Sequence, residues 1–331
     1  MRHETVLQFQ SMPEARILLR NLTSSRESLY FGEFRISRVG LRFRELRDTL
    51  SFSDVNGDDW VLDKTYPALP LHGGTSDVAI DSDVEDILLL LRLFKPGDLS
   101  FVRQAIIPPN GPPSVRKPYR AMNDLNSQSN EALFQIEQVE CDAWSDFAES
   151  LRSSDSWRAD WFATARRFFL AGGAKPFNPF GDDVDRVVDY ATALESTLVP
   201  EKGDHITQRI KLRGAALAAP ESTERKHEYV LLLKKFYDAR SRIVHGNRLD
   251  DKTRNWLYEN SGEVERLVRR ILAAAVLKLP AGEKERTTAL ARLYDPTDQD
   301  RADLAFEKFK AIRSPNIRKG TADRIAKLLP E

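Results

Sequence analysis

With 331 residues, 41% of them hydrophobic and 30% charged, the chain is long enough for about two domains with real cores and polar enough to be expected in solution. Its 50 lysines and arginines balance 50 aspartates and glutamates. That balance excludes polyelectrolyte behaviour of the whole molecule and leaves nucleic-acid binding only to a local patch. One cysteine, Cys141, excludes an internal disulfide framework and a multi-cysteine zinc site, and reads as a small buried residue.

The opening MRHETVLQFQSMPEARILL contains no uninterrupted apolar run of signal-peptide type, so a cytoplasmic location is expected. Ala15–Leu19 and Phe34–Val39 space large or β-branched apolar residues between charges, a strand pattern, and Asn56-Gly57-Asp58-Asp59 is a turn signal. Asp81–Phe94 predicts a helix opened by Asp81, Ser82 or Asp83 and closed before Pro96-Gly97. Its run Ile87–Phe94 is too short to span a bilayer and contains Arg92, so a core helix and no membrane partner are expected. Leu99–Ile107 reads as a further strand. Residues 1–110 are thus expected to form a small mixed α/β domain. No strand-GxGxxG-helix or GxxxxGK[ST] fingerprint marks a nucleotide site there, and His72-Gly73-Gly74 is only a turn.

The proline- and polar-rich stretch Pro108–Asn130 makes residues 111–140 a linker or long loop, with Pro118-Tyr119-Arg120 part of that loop. Thereafter Asp142–Leu151, Asp155–Leu170, Asp183–Val199, Asp204–Ala219, Thr223–His245 and Gly262–Leu279 carry helical periodicity with polar starts. Between two of them, Leu170–Gly181 holds glycines and Lys175 but lacks the following Ser/Thr and the upstream strand of a phosphate loop. Residues 141–280 are expected to form an all-α bundle and 281–331 a helical tail, with short helices near Asp300–Ile312 and Thr321–Leu329. The fold class is α+β, a mixed α/β N-terminal domain followed by a C-terminal helical bundle.

Three of these helices place an ionisable residue where the spacing asks for an aliphatic one. Tyr229, Leu233, Phe236, Arg240 and Ile243 share a face that Val230, Tyr237 and Val244 widen. Val184, Val188, Ala191, Glu195 and Leu198 do the same on a second helix, and Ile206, Ile210, Arg213 and Leu217 on a third. A lone buried ion is prohibitive, so these groups meet each other or a ligand. Either Glu195 pairs with Arg213 or Arg240 and holds three helices in register, or two arginines against one glutamate leave a surplus cation for a phosphodiester.

Gly246 directly after His245 reads as a helix C-cap. Arg240 and His245 are separated by about 140° around a regular helix. The two converge only if the helix end unwinds or a second copy supplies the complementary residue. The five histidines show no HExxH spacing and no GxSxG elbow exists, so acid–base chemistry without metal or cofactor remains.

Arg240-x4-His245-Gly246, in RSRIVHG at the end of an apolar helix, follows two ordered segments, VVDYATALES (Val187–Ser196) and ITQRIKLRGAALA (Ile206–Ala218). Together they resemble the HEPN superfamily in its Apea-like branch, over roughly Ala143–Leu279. The resemblance implies a HEPN-like helical domain acting as a homodimer, with both copies of the motif lining one cleft. It implies a metal-independent endoribonuclease with RNA as substrate, Arg240 and His245 catalytic, and Ser241, Glu195 and Arg213 in support. His245 would exchange protons with the ribose 2′-OH or the leaving 5′-oxygen while Arg240 holds the phosphate, leaving a 2′,3′-cyclic phosphate. A toxic effector of a bacterial defence or toxin–antitoxin system is the implied setting, with a regulatory protein or ligand at the N-terminal domain. Gly246-Asn247-Arg248 stands where relatives controlled by nucleotide transfer carry a tyrosine. Non-catalytic relatives imply the alternative, a dimerisation, interaction or nucleotide-sensing module.

Overall fold

The computed structural model describes residues 12–40, 47, 57–66, 75–108, 113–116 and 133–294, apart from positions 96, 98, 174, 176, 182 and 202–204. A six-stranded antiparallel sheet comes first, built from β1 (Glu14–Arg20), β3 (Ser28–Phe31), β4 (Phe34–Arg38), β5 (Trp60–Thr65), β6 (Ser100–Ile107) and β7 (Ser114–Arg116). The order across it is β3-β4-β5-β1-β6-β7. Ile17 in β1 lies opposite Leu62 in β5 and Gln104 in β6, so β1 is central. Alternation sends Ala15, Ile17 and Leu19 into the main core and Leu18 to a small cluster with Val39, Val61 and Ala105 on the other face. A two-stranded parallel pair, β2 (Leu22–Thr23) with β8 (Phe134–Gln135), ties the chain before the helices back to the end of β1.

Edge strand β3 has a substitute for a neighbour. The Gln138 side chain accepts from the Tyr30 N–H at 3.0 Å and donates to the Tyr30 carbonyl at 3.1 Å, occupying backbone groups that an edge otherwise offers to other chains.

Helix α1 (Thr75–Phe94) crosses from β5 to β6, which flank β1. Its Ile87–Leu91 run is buried on all sides, as the composition of that run predicts. One apolar cluster runs without a break from Ala15 in the sheet, through α1, to Leu290 in the last described helix. The fold is therefore α+β, an N-terminal antiparallel sheet joined through α1 to a C-terminal helical region.

That region contains α2 (Gln138–Arg152), α3 (Asp160–Gly173), α4 (Asp185–Leu198), α5 (Ile206–Ala218), α6 (Thr223–Val244), α7 (Asp251–Lys278) and α8 (Glu283–Leu293). Three departures from the sequence expectation have identifiable causes. Asp155–Arg158 forms a separate 3-10 turn before α3, because the Ser154 and Ser156 hydroxyls donate to the Val276 and Leu279 carbonyls at the end of α7, at 2.6 and 2.5 Å. Helix α7 begins at Asp251 rather than Gly262. The Asp250 carboxylate caps it by accepting from the Thr253 N–H at 2.7 Å, and one exposed glycine costs only about 1 kcal/mol inside so long a helix. Helix α8 falls within the expected helical tail but ahead of the two short helices placed there, anchored by buried Leu290. The expected helices near 300–312 and 321–329, most of the 111–140 linker including Pro118-Tyr119-Arg120, Asn56 of the turn signal and the His72-Gly73-Gly74 turn lie outside the described residues.

Candidate functional site

The C-terminal half of α6 carries the residues that the sequence singled out. Ser222 starts this helix, its hydroxyl accepting from the Arg225 N–H at 3.2 Å, and Leu233, Phe236, Tyr237 and Ala239 form its buried face. The helix ends in a Schellman closure. The Gly246 N–H donates to the Ile243 carbonyl at 3.0 Å and the Asn247 N–H to the Arg242 carbonyl at 2.9 Å, with Gly246 at φ +69. His245 is the C-cap of that closure, exposed to solvent. The helix stays regular up to this cap, so it does not unwind to bring His245 round towards Arg240.

Arg240 is half-buried, its side chain 22% exposed, and its Nη2 lies 2.8 Å from Glu195 Oε1 on α4. The same carboxylate oxygen accepts a hydrogen bond from the Tyr237 hydroxyl, and the guanidinium carbon sits 5.3 Å from the centre of the Tyr237 ring. Burial, and then the hydrogen bond and charge of Glu195, push the Tyr237 phenol well above its ordinary range, so it remains a donor to that carboxylate. Tyr237 and Arg240 are three residues apart on α6 and reach the same partner on α4. By spacing, Tyr237 belongs to the apolar stripe of α6. Its ring does pack there, but its hydroxyl belongs to the polar cluster, the usual double character of a buried tyrosine.

Arg213 does not join this cluster. It is buried, 2% exposed, and donates to both Glu201 oxygens at 2.9 Å and to the Leu198 carbonyl at 2.7 Å. The expected surplus of two arginines over one glutamate is thereby corrected. Glu201 supplies the second carboxylate, and it sits in the turn after α4 where helical periodicity gives no signal. Glu195 thus pairs with Arg240 and not with Arg213, and two separate ion pairs replace a shared network. Burial alone would raise the Glu201 carboxyl, but the hydrogen bonds and charge of Arg213, with Arg209 behind them, outweigh it and hold the group below its usual range.

The turn that carries His245 is tied down on its far side. Arg242 Nη1 donates to Asp250 Oδ2 at 2.5 Å while Asp250 Oδ1 caps α7, so one carboxylate fixes both helices around the α6–α7 connection. Hydrogen bonds from Thr253 and Arg242 keep the Asp250 carboxyl well below its ordinary range. Ser241, next to Arg240, is half-buried. A groove of about 440 Å³ beside the β3–β4 hairpin, walled by Phe31, Glu33, Trp144 and Arg152, takes in none of the residues singled out by sequence.

Chemically, the α6 end offers an accessible imidazole, a guanidinium oriented by one carboxylate and one phenol, and the half-buried Ser241 next to that arginine in the chain. The chain matches no protein-family model, no characterised protein sequence and no solved structure.

Proposed function

We propose that this chain is a metal-independent endoribonuclease of HEPN type whose cleft forms when two copies bring their α6 C-termini together. The observation that carries this reading is the pairing of an exposed His245, held by a glycine-closed helix end, with an Arg240 that Glu195 and Tyr237 hold in one orientation. Since α6 remains helical to its cap, the five-residue offset turns the two side chains apart by about 140°. A two-fold partner brings a histidine from one copy towards an arginine from the other.

In such a cleft Arg240 keeps Glu195 on one edge and offers its remaining N–H groups to the scissile phosphate, where negative charge grows in the transition state. His245 takes the proton of the ribose 2′-OH, or gives one to the leaving 5′-oxygen, since an imidazole carries both an acceptor and a donor nitrogen. Ser241 orients the phosphate or the imidazole. The N-terminal sheet region takes the regulatory partner, in a defence or toxin–antitoxin setting.

A second reading rests on the Arg240–Glu195 ion pair itself. A guanidinium already neutralised from a neighbouring helix serves equally as a lock between α4 and α6 in a non-catalytic interaction module.

One assay separates the two. Single-stranded RNA is incubated in EDTA with the wild-type protein, His245→Ala and Arg240→Ala, and the product ends are identified. The nuclease reading expects cleavage by wild type alone, 2′,3′-cyclic phosphate and 5′-OH ends, and no cleavage of DNA. Equal cleavage by wild type and His245→Ala, or none by a wild-type dimer, removes it and leaves the interaction module.

A further inference from the structure

The C-terminus of α4 is closed by groups that its own sequence does not supply. The Val199 N–H makes the last regular bond of the helix, donating to the Glu195 carbonyl at 2.9 Å. Pro200 has no N–H to continue the series, so the Ser196, Thr197 and Leu198 carbonyls have no donor within the helix. Guanidinium groups from two other helices meet all three. Arg286 of α8 donates from Nη1 to the Ser196 carbonyl at 2.7 Å and to the Thr197 carbonyl at 3.2 Å. Arg213 of α5 donates to the Leu198 carbonyl at 2.7 Å. Positive charge at this end of the helix also complements its dipole.

Arg286 is built into this position. It is buried, and its guanidinium carbon lies 5.0 Å from the centre of the Trp161 ring on α3, which fixes the group from its other side. The turn that it holds is the one that reaches the α6 end. Glu195, adjacent to Ser196, accepts from the Tyr237 hydroxyl and pairs with Arg240 Nη2 at 2.8 Å. Without Arg286 the Ser196 and Thr197 carbonyls lose their donors, at a place where Thr197 is fully buried. A helix end in that state frays or tightens until its carbonyls find other donors. Either movement carries Glu195 with it.

From this geometry we infer that Arg286 is a positioning residue for Arg240, acting through the last turn of α4. The relay runs from the Arg286 guanidinium to the Ser196 and Thr197 carbonyls, to the neighbouring Glu195 carboxylate, and from there to Arg240 and the Tyr237 hydroxyl on α6. Its catalytic consequence rests on the nuclease reading, while the relay itself is a property of the fold. A change in how α8 is seated is then felt at the guanidinium that holds the phosphate.

The test reads the far end of the relay in the full chain, well below its unfolding temperature. Tyrosine labelled with carbon-13 at Cζ reports phenol hydrogen bonding by NMR. Tyr237→Phe assigns the Tyr237 resonance, and Glu195→Gln gives its position when the carboxylate contact is lost. In Arg286→Met the Tyr237 resonance is expected to move towards the Glu195→Gln position while that of Tyr30, in the sheet, stays in place. With single-stranded RNA as substrate, kcat of Arg286→Met should fall about tenfold with KM little changed. An unmoved Tyr237 resonance overturns the inference, and so does a moved one with kcat unchanged, since Arg240 then does not follow Glu195. If the resonance moves as expected but wild type cleaves no RNA, the nuclease reading fails and the relay stands. If wild type cleaves RNA and Arg286→Met alters neither signal nor kcat, the relay fails and the nuclease reading stands. Should Arg286→Met not fold, Arg286→Gln, with one neutral donor on a shorter stem, decides by the same criteria.

Discussion

Replacing Arg213 by methionine tests the packing logic of the helical region most directly. The substitution keeps the apolar stem and removes three charge-assisted hydrogen bonds, two to Glu201 at 2.9 Å and one to the Leu198 carbonyl at 2.7 Å. Breaking one partner of a fully buried pair costs about 3–5 kcal/mol. The Glu201 side chain is 25% exposed and can recover some hydration, which places the expected loss at the low end, about 3 kcal/mol. For a chain of 331 residues that is a fall in Tm of roughly 4 °C, measurable by calorimetry or urea titration.

The pH dependence sharpens this test. Glu201 has a folded pKa below its unfolded value, so its contribution is complete above the unfolded pKa, about 4.3, and is lost as pH falls through the folded one. The stability gap between wild type and Arg213→Met should therefore be constant near neutrality and narrow below about pH 4. A loss under about 0.5 kcal/mol at pH 7 would show that Glu201 is rehydrated without cost when Arg213 is removed, and would refute the reasoning.

Three further outcomes are expected. Gly246→Ala should cost about 1 kcal/mol, since its φ of +69 penalises any Cβ while the space around it is open, and Gly246→Asn should cost less; equal stability of all three in urea would deny the Schellman closure. Gly172→Ala should destabilise by about 1–2 kcal/mol even though alanine favours helix, because the new Cβ meets the Tyr190 ring at 2.7 Å; a stabilised variant would show that α3 and α4 are less tightly packed than described. Cys141 is buried, and burial together with the charges of Asp142, Glu140 and Glu137 raises its thiol to about 11, so a thiol reagent at pH 7.5 should react with it only after unfolding in guanidinium; rapid native labelling would contradict its placement.

Local patterns were the legible part of this chain. The β1, β4 and β6 strands, the buried Ile87–Leu91 helix segment and the glycine stop after His245 each follow from residue alternation, an unbroken apolar run or a single left-handed position. Strands β3 and β5 were not read, because their short runs gain identity only from pairing with β4 and β1. Among the charged residues, spacing placed Arg213, Arg240 and Glu195 alike on apolar faces; the fold buries only Arg213 fully and leaves the other two half-buried, and spacing did not assign their partners. Glu201 carries no periodic signal, and Tyr237 has a hydroxyl whose destination depends on α4, forty-two residues away.

What the sequence determined alone was therefore the α+β class, the helical identity of the C-terminal half and the positions at which a charge meets an apolar surface, all set by interactions within about one turn or one strand. Which charge neutralises which was decided only in the folded molecule. Ion pairing depends on the distance between side chains brought together by packing, and the same stripe of apolar residues permits several such pairings until the helices settle into one.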